Sequence, residues 1–448
     1  MNTVNAGTQL ARGLRDICGA EYVAEDPAEL RRGQILGSAP AVGVTPGSTD
    51  EVAAILRLAN QHSLSVVPAG GLTQQQVGNS TISVLLNTSR LIEVEHYDSG
   101  DLTVGIGAGC TVTQLSSMVA ADGLLFAADP PLPERATIGG LLATGTTGPL
   151  RHGYGGLRDY CIGIRFVTGD GRKGKGGGRV VKNVAGYDMM KLLIGSHGTL
   201  AVITGASFKL FPAPRQTRTF VAQFATAAEA LQFRDVILRS PLSPMCLEIV
   251  SPGALGKVLP GVASTGAWLI AVRASGSDAV LTRYRAELGS AVTGETVGEQ
   301  EFELWRAIEN FPFYGLTEEE SQAHFFLSPM VPILSLHVPL GEVGDTIRQL
   351  EQRMTPDVIS MALVGRVGVG NLVVLLRAEN LELPAELHID IIEKLRRSLS
   401  PHASLLVRSG VPHELGKWPM TPTHLDSMRA VKRALDPNDI LNRGRFLV

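Results

Sequence analysis

Three runs of small residues are the part of this sequence whose spacing could do chemistry. They are Pro68-Ala-Gly-Gly-Leu-Thr73, Thr137-Ile-Gly-Gly-Leu-Leu-Ala143 with Gly145-Thr-Thr-Gly148, and Gly176 to Asp188, which continues through Gly195 and Gly198 to Thr204. A glycine inside a regular element costs roughly 0.5–1 kcal/mol against alanine, so such regular recurrence needs a reason. Glycine recurs where main chain takes a positive φ or comes very close to something flat or anionic. Successive amides in a glycine turn also make an anion-binding nest. Plainer readings stand beside these: Pro-x-Gly-Gly is as well a simple turn, and the third run a glycine-rich bend in a large core. Arg151, Arg179 and Lys182 could balance an anion, although each type is more often a surface charge.

Other chemistries find less support. None of the runs matches G-x-G-x-x-G after a strand, which disfavours a Rossmann dinucleotide site. The ten histidines show no His-x-x-x-His spacing, and no metal site is expected. Cys18, Cys110, Cys161 and Cys246 are scattered without a C-x-x-C pair, so they read as buried reduced thiols of a cytoplasmic protein, not cluster ligands. His413-Glu414 could be an acid/base pair or a polar turn between Pro412 and Gly416. A net charge of −3 gives no electrostatic case for nucleic acid. With 44% hydrophobic and 19% charged residues, the 448-residue chain reads as a soluble globular protein of two or three domains. Residues 1–20 lack the apolar stretch of a signal peptide, and no uncharged apolar run of about 18 residues suggests a membrane span.

The elements that must position the three runs are legible in places. Ser48 and Glu51 predict a capping box ahead of a helix that buries Val52, Ile55, Leu56 and Ala59. A strand over Ser65–Val67 feeds the first run, and strands are expected over Ile82–Leu86 and Leu102–Ile106. Thr111 and Gln114 form a second box before Val112, Leu115 and Val119. A strand from Cys161 to Val167 leads to Lys173 and Lys175, read as a mobile, solvated hairpin tip. Arg158 and Asp159 could pair with one another or serve a cofactor. After Pro214 the glycine density falls, and strands and helices alternate as β-α-β-β-α-β written twice, the order of a ferredoxin-like layer. Leu425, Met428, Val431 and Leu435 mark an amphipathic helix stopped by Asp436-Pro437.

The run GGRVVKNVAGYDMMKLLIGSHGTLAVITGASFKLFPAP resembles the flavin-binding segment of the vanillyl-alcohol-oxidase (PCMH-type FAD-binding) superfamily. TIGGLLATGTTGP and YGGLRDYCIGIRFVTGDG resemble its second flavin loop and the run after it, and RAVKRALDPNDILNRGRF its terminal signature. Within the superfamily, VVKNVAGYD is most similar to the family of FAD-binding subunits of bacterial glycolate oxidase.

The resemblance implies an α+β chain: a PCMH-type FAD-binding domain of two subdomains with a ferredoxin-like cap. It implies a lead-in over 1–35, the FAD domain over 36–215, the cap over 216–423 and a tail, 424–448, returning to the FAD domain. Cofactor contacts would come from Ala69, Gly70, Gly71, Leu72 and Thr73, then Thr137, Gly139, Gly140, Ala143 and Gly148. The third run would add Asn183, Gly186, Tyr187, Asp188, Gly195, Gly198, Thr199, Leu200 and Ile203, and the tail Asn442. His152 and Cys110 are the only nearby residues able to link flavin covalently, and neither sits in an attachment motif, so non-covalent FAD is expected. The implied activity is oxidation of a 2-hydroxyacid, glycolate to glyoxylate. Implied partners are a catalytic flavoprotein subunit and an iron–sulfur subunit, in the cytoplasm or held to the inner membrane by them. Free-standing members carry H-x-G-D-G-N-L-H and a downstream G-E-H-G; here Arg366-Val-Gly-Val-Gly-Asn-Leu-Val373 and Arg408 to Gly416 stand in their place. A free-standing 2-hydroxyacid dehydrogenase, or a flavin-domain subunit without turnover, remain the alternatives.

Overall fold

The computed structural model describes residues 3–33, 39–74, 82–179, 187–258, 266–311, 313, 332–353, 359–378, 385–409 and 424–445. The chain divides into two compact units. One comprises Met1–Thr147, Gly156–Ala213 and Met420–Val448; the other comprises Gly148–Gly155 and Pro214–Pro419.

Among its described residues, the first unit holds two larger sheets and one two-stranded pair. The smaller contains β1 (Val23–Ala24), β2 (Val42–Val44), β3 (Val66–Ala69) and β4 (Val84–Asn87) in the order β1-β2-β4-β3, with β2, β4 and β3 parallel. Helix Thr49–Gln61 lays its buried stripe, Val52, Ile55, Leu56 and Ala59, into this sheet's core. Ser48 Oγ accepts from the Glu51 amide at 3.1 Å, as the capping signal predicts. The Glu51 carboxylate, however, reaches one residue further, to the Gly47 amide at 2.8 Å.

The larger sheet contains β5 (Val94–Asp98), β6 (Thr103–Gly107), β8 (Cys161–Thr168), β9 (Lys173–Gly177) and β10 (Ala201–Lys209), ordered β5-β6-β10-β8-β9 and antiparallel throughout. A short pair, β7 (Leu124–Leu125) and β11 (Phe211–Pro212), closes its side. Ile106, Phe126, Tyr160 and Phe208 fill its core, and Phe126 meets Phe208 edge to face at 4.9 Å between centroids. Helix Val112–Ala120 carries the full Thr111/Gln114 capping box. One expectation is corrected here. Lys173 and Lys175 are not at a hairpin tip: the turn is made by 169–172, and both lysines lie on the paired strand β9, with Lys173 Nζ 2.6 Å from Asp50. Alternation of lysine and glycine suits an edge strand, which the loop-like composition concealed.

The C-terminal helix, Leu425–Leu435, packs Val431 and Leu435 against that core, and the chain after it runs beside β3. Val66 N donates to Ile440 O, and Asn442 N donates to Val66 O at 2.9 Å. Buried Lys432 fixes this return by donating to Asp436 (2.6 Å), the Thr199 carbonyl (2.9 Å) and the Leu441 carbonyl (3.0 Å).

The second unit is built on one eight-stranded sheet. Its strands are β12 (Thr217–Phe224), β13 (Cys246–Val250), β14 (Trp268–Ser275), β15 (Val292–Thr296), β16 (Ile333–His337), β17 (Ile359–Arg366), β18 (Asn371–Ala378) and β19 (Ser404–Ser409). They lie in the order β15-β12-β14-β13-β17-β18-β16-β19. Each half is therefore one ferredoxin-like β-α-β-β-α-β unit, and the halves join where β13 pairs with β17. One face carries the apolar core: Phe220, Ile249, Ile270, Leu334, Leu363 and Val374. Alternation gives the other face a mixture, with apolar Val250, Leu269 and Val364 beside polar Thr219, Glu248, Arg366 and Asn371. Trp305 lies buried in helix Gly298–Glu309 and donates from Nε1 to Thr219 Oγ1 at 2.7 Å. Phe311 and Phe313 are also buried, while 312 and 314–316 lie outside the described residues.

Candidate functional site

In the first unit, strand β3 delivers the first small-residue run to an open cavity of about 690 Å³. Ala69, Gly70, Gly71, Leu72 and Thr73 line one part of it. Thr137, Gly139, Gly140 and Ala143 line another, and Gly198 and Ile203 a third. The loops interlock through main chain. Gly139 N donates to Ala108 O at 2.8 Å, His197 N to Ala143 O at 2.7 Å, and Gly195 N to Leu142 O at 3.0 Å. Thr137 caps helix Ile138–Thr144 by accepting from the Gly140 amide at 3.3 Å.

Glycine is required in the first run for close approach. A Cβ on Gly70 would strike the Thr137 hydroxyl, and one on Gly71 the Arg135 carbonyl oxygen. Gly140 is different, since a Cβ there would meet only Thr137 Oγ1, at 3.2 Å, so its free side opens on space. Leu72 has φ +60, a left-handed conformation that costs a non-glycine residue roughly 1–2 kcal/mol. Glycine would hold this bend without strain. Among the described residues, none of the amides of Gly70, Gly71, Leu72, Thr73 and Gln74 donates to a protein acceptor. Unpaired main-chain donors beside a cavity are suited to an anion such as a diphosphate.

Arg445 also lines this cavity and is the lining's one permanently charged side chain among the described residues. It is 4% exposed, donates to Asn442 Oδ1 at 3.2 Å, and burial pulls its pKa down to about 10, still far above neutrality. Sequence reasoning missed it. Its signal was a cation three residues past Asn442, in a tail that returns to the glycine loops.

The remaining candidates lie elsewhere. Asn442 does not line the cavity but holds its wall, donating from Nδ2 to the His197 carbonyl. Leu200 is buried, and Thr199 is buried with Oγ1 donating to Ser196 O. Gly195 (φ +87) turns the chain near Arg158. Tyr187 is 92% exposed, and Asp188 caps helix Met189–Leu193 while pairing with Lys191. Gly148, Arg151 and His152 belong to the second unit, and Arg179 is exposed. Lys182, Asn183, Gly186, His413 and Glu414 lie outside the described residues. Arg158 and Asp159 do not pair: Arg158 donates to Ile194 O at 2.7 Å, and Asp159 accepts from the Gly156 amide at 2.7 Å. Their opposed directions follow from Asp159 closing the turn into helix Leu157–Tyr160. Cys110 is buried away from the cavity lining, and burial raises its thiol pKa.

The second unit carries a polar row that sequence reasoning assembled only in part. Register places Arg366 opposite Asn371, Asn371 opposite His337, and His337 opposite Ser404, so the four share the face opposite the apolar core. Buried Glu248, on the neighbouring strand, lies 3.9 Å from Arg366 Nε. His337 keeps solvent access. Even so, the protein crowding its ring and the charges of Arg408, Arg151 and Arg366 push its pKa down to about 4. Arg408 is pulled to about 10, first by burial and then by Arg366. His152 packs over Gly368, in the turn between β17 and β18, and burial lowers its pKa.

Two family profiles match the chain. "FAD binding domain" covers residues 40–173, and "FAD linked oxidases, C-terminal domain" covers 213–396 and 413–446. A D-lactate dehydrogenase of Archaeoglobus fulgidus is 30% identical over 425 residues, 91% of each protein. The chain belongs to the FAD-linked oxidases. Glycolate oxidase subunit GlcE of Escherichia coli is 33% identical over 155 residues, 34% of this chain and 44% of that protein. Among solved structures, p-cresol methylhydroxylase superposes with a TM-score of 0.75 at 14% identity, covering 99% of this chain and 97% of that one, which shows the fold. This FAD-linked oxidase is thus a FAD-dependent oxidoreductase with the PCMH-type fold. The first unit's cavity fits that cofactor: unpaired amides and one buried arginine suit a diphosphate, and the open side of Gly140 leaves room for a flat group against main chain.

Proposed function

We propose that this chain is the FAD-binding subunit of a glycolate-oxidase-like complex. In it the chain takes part in oxidising a 2-hydroxyacid, glycolate to glyoxylate, and passes electrons to a catalytic flavoprotein subunit and an iron–sulfur subunit. FAD, when bound, accepts the hydride equivalent, while the protein supplies position and electrostatics. The residues proposed to hold it are the cavity-lining members of the three runs and Arg445, supported by Asn442, and the binding is non-covalent.

The observation that carries complex membership is the Arg366–Val373 turn. Free-standing members place metal-binding histidines at its two ends. Here Arg366 is drawn into a buried pairing with Glu248, and Val373 is an apolar strand residue. Neither can be a metal ligand, because arginine stays protonated and valine has no lone pair. Removing the hydroxyl proton then lacks general-base help typically worth about 10²–10⁴-fold. Likeness to a D-lactate dehydrogenase over 91% of both chains favours a second reading, a free-standing 2-hydroxyacid dehydrogenase.

Anaerobic addition of glycolate or D-lactate to the purified flavoprotein separates the two. The complex reading expects little bleaching of the lone chain and rapid bleaching once the co-purified partners are restored. Rapid bleaching of the lone chain would establish the second reading instead. No helix among the described residues is long and apolar enough to cross a membrane, so attachment to the inner membrane would fall to the partners.

A further inference from the structure

We infer that the outer edge of β9 docks an acidic, extended segment of a partner protein, which adds to the larger sheet as a further strand. β9 is an edge strand of that sheet, and among the described residues it pairs with β8 alone. Two bonds set the phase of the ladder between them. Thr168 N donates to Arg172 O at 3.0 Å, and Gly178 N donates to Ile162 O at 3.0 Å. Hydrogen-bonded and non-hydrogen-bonded pairs alternate along antiparallel strands. Gly174 and Gly176 therefore bond to β8, while Lys173 and Lys175 turn their N–H and C=O groups outward. Outward main-chain groups of this kind are a template for strand addition.

Side chains select what can pair there. Lys173 and Lys175 are exposed on one face of the strand; on the other, the Phe166 ring and Met189 fill the space beside Gly174 and Gly176. Lys173 is matched by Asp50, and Arg165, opposite Lys175, by Glu95. Lys175 makes no ion pair among the described residues. Four cations, Arg57, Arg172, Lys173 and Lys175, stand at this end of the sheet against two carboxylates, Asp50 and Asp170. A second copy of this chain is the wrong occupant. Centred antiparallel pairing of two β9 edges sets Lys175 against Lys175, and like charges directly opposite repel. A membrane fits no better, since the strand carries no apolar side chain large enough to enter one. Lysines on an edge guard it against indiscriminate pairing, and aspartate or glutamate in the incoming strand lifts that guard. The inference deepens the complex reading and rests on it for the existence of the partner.

The test is residue-resolved amide hydrogen exchange on the full FAD-loaded chain, alone and in the complex purified with its partners. In the lone chain the amides of Lys173 and Lys175 should exchange freely while those of Gly174 and Gly176 are protected. In the complex all four should be protected. Lys175→Glu should weaken the partner's affinity at least tenfold, with flavin content and melting temperature unchanged. Lys175→Pro, which also removes the outward N–H, should weaken it more than Lys175→Ala. Gly174 precedes the site and lacks the Cβ that a following proline crowds. Slow exchange of the lysine amides in the lone chain would show the edge already covered and overturn the inference. A complex that leaves them unprotected, or whose affinity ignores Lys175→Glu, would overturn it while complex membership stands. Protection of the edge in a complex whose flavin is not bleached by glycolate or D-lactate would keep the docking edge and remove the redox reading. A chain that purifies without any partner would remove both. Binding to phosphatidylglycerol–phosphatidylcholine vesicles, lost in Lys175→Glu and with no protein on the edge, would overturn protein as the occupant.

Discussion

The side-chain amide of Asn442 donates to the main-chain carbonyl of His197 at 2.7 Å, and both residues hold left-handed backbone, at φ 46 and 53. The tail thereby clamps the third glycine run from behind. Gly198 lies within the clamp, where a Cβ would come 2.8 Å from Asn442 Nδ2. Asparagine suits the place twice over, tolerating positive φ and supplying the donor. Asn442→Ala should lose the hydrogen bond, about 1 kcal/mol, and add backbone strain of roughly 1–2 kcal/mol. Flavin per chain and melting temperature should both fall. Asn442→Gly relieves the strain only, so its melting temperature should recover more than its flavin content. If both variants matched the wild type in flavin content, the clamp would have no part in the cofactor site.

Gly140 and Gly71 should separate binding from folding. Gly140→Leu projects into the cavity with little protein in its way, so the chain should fold and lose most of its flavin. Gly71→Ala drives a Cβ onto the Arg135 carbonyl, so thermal stability should drop by an amount typical of forced overpacking, roughly 1–3 kcal/mol. Lys173 and Lys175, on an edge strand, should tolerate alanine with flavin unchanged. Absorbance ratios at the flavin and protein bands, read beside melting curves, decide this. Full flavin content in Gly140→Leu would displace the cofactor from this cavity.

Arg445 brings the cavity a permanent positive charge that the amides cannot supply. Charge-assisted hydrogen bonds to phosphate are about twice as strong as neutral ones. Arg445→Gln should therefore weaken FAD binding at least tenfold, as measured by quenching of flavin fluorescence on reconstitution. Raising ionic strength should weaken wild-type binding more than that of the variant, because a charge contact is screened and an amide contact much less so. Equal affinity at low salt would show that Arg445 serves packing alone.

How much of this could be read beforehand varied with the kind of signal. The capping box at Thr111/Gln114 is local, and it forms as its spacing predicts. The doubled β-α-β-β-α-β order was legible because short apolar strand runs alternate with helical stretches after Pro214, although β13 and β14 bury both of their faces. The glycine runs announced close main-chain approach but not which residues would share one cavity; Tyr187 and Asp188 belong to the same run and point elsewhere. Arg445 and the row from Arg366 to His337 were hidden for a different reason. Their meaning depends on strands and loops distant in sequence, and only strand register reveals that His337 stands opposite Asn371. Lys173 and Lys175 misled because a glycine–lysine run has the composition of a loop, while pairing with β8 makes it a strand.

His337 should give the second unit an acid-sensitive stability. Crowding by the protein and the charges of Arg408, Arg151 and Arg366 lower its pKa from 6.5 to about 4 in the folded chain. Between those values the unfolded chain binds more protons, so stability rises with pH across the window. The contribution is present in full above pH about 6.5 and is lost as pH falls through about 4. His337→Asn has no proton to take up there. Carboxylate titrations elsewhere are common to both proteins, so subtracting their denaturant midpoints at pH 7.5 and 4.5 isolates the histidine. The wild type should lose more stability than the variant between these two values, and added salt should shrink the gap by screening the arginines. Parallel pH profiles would mean that neither the crowding nor the three guanidiniums govern this imidazole.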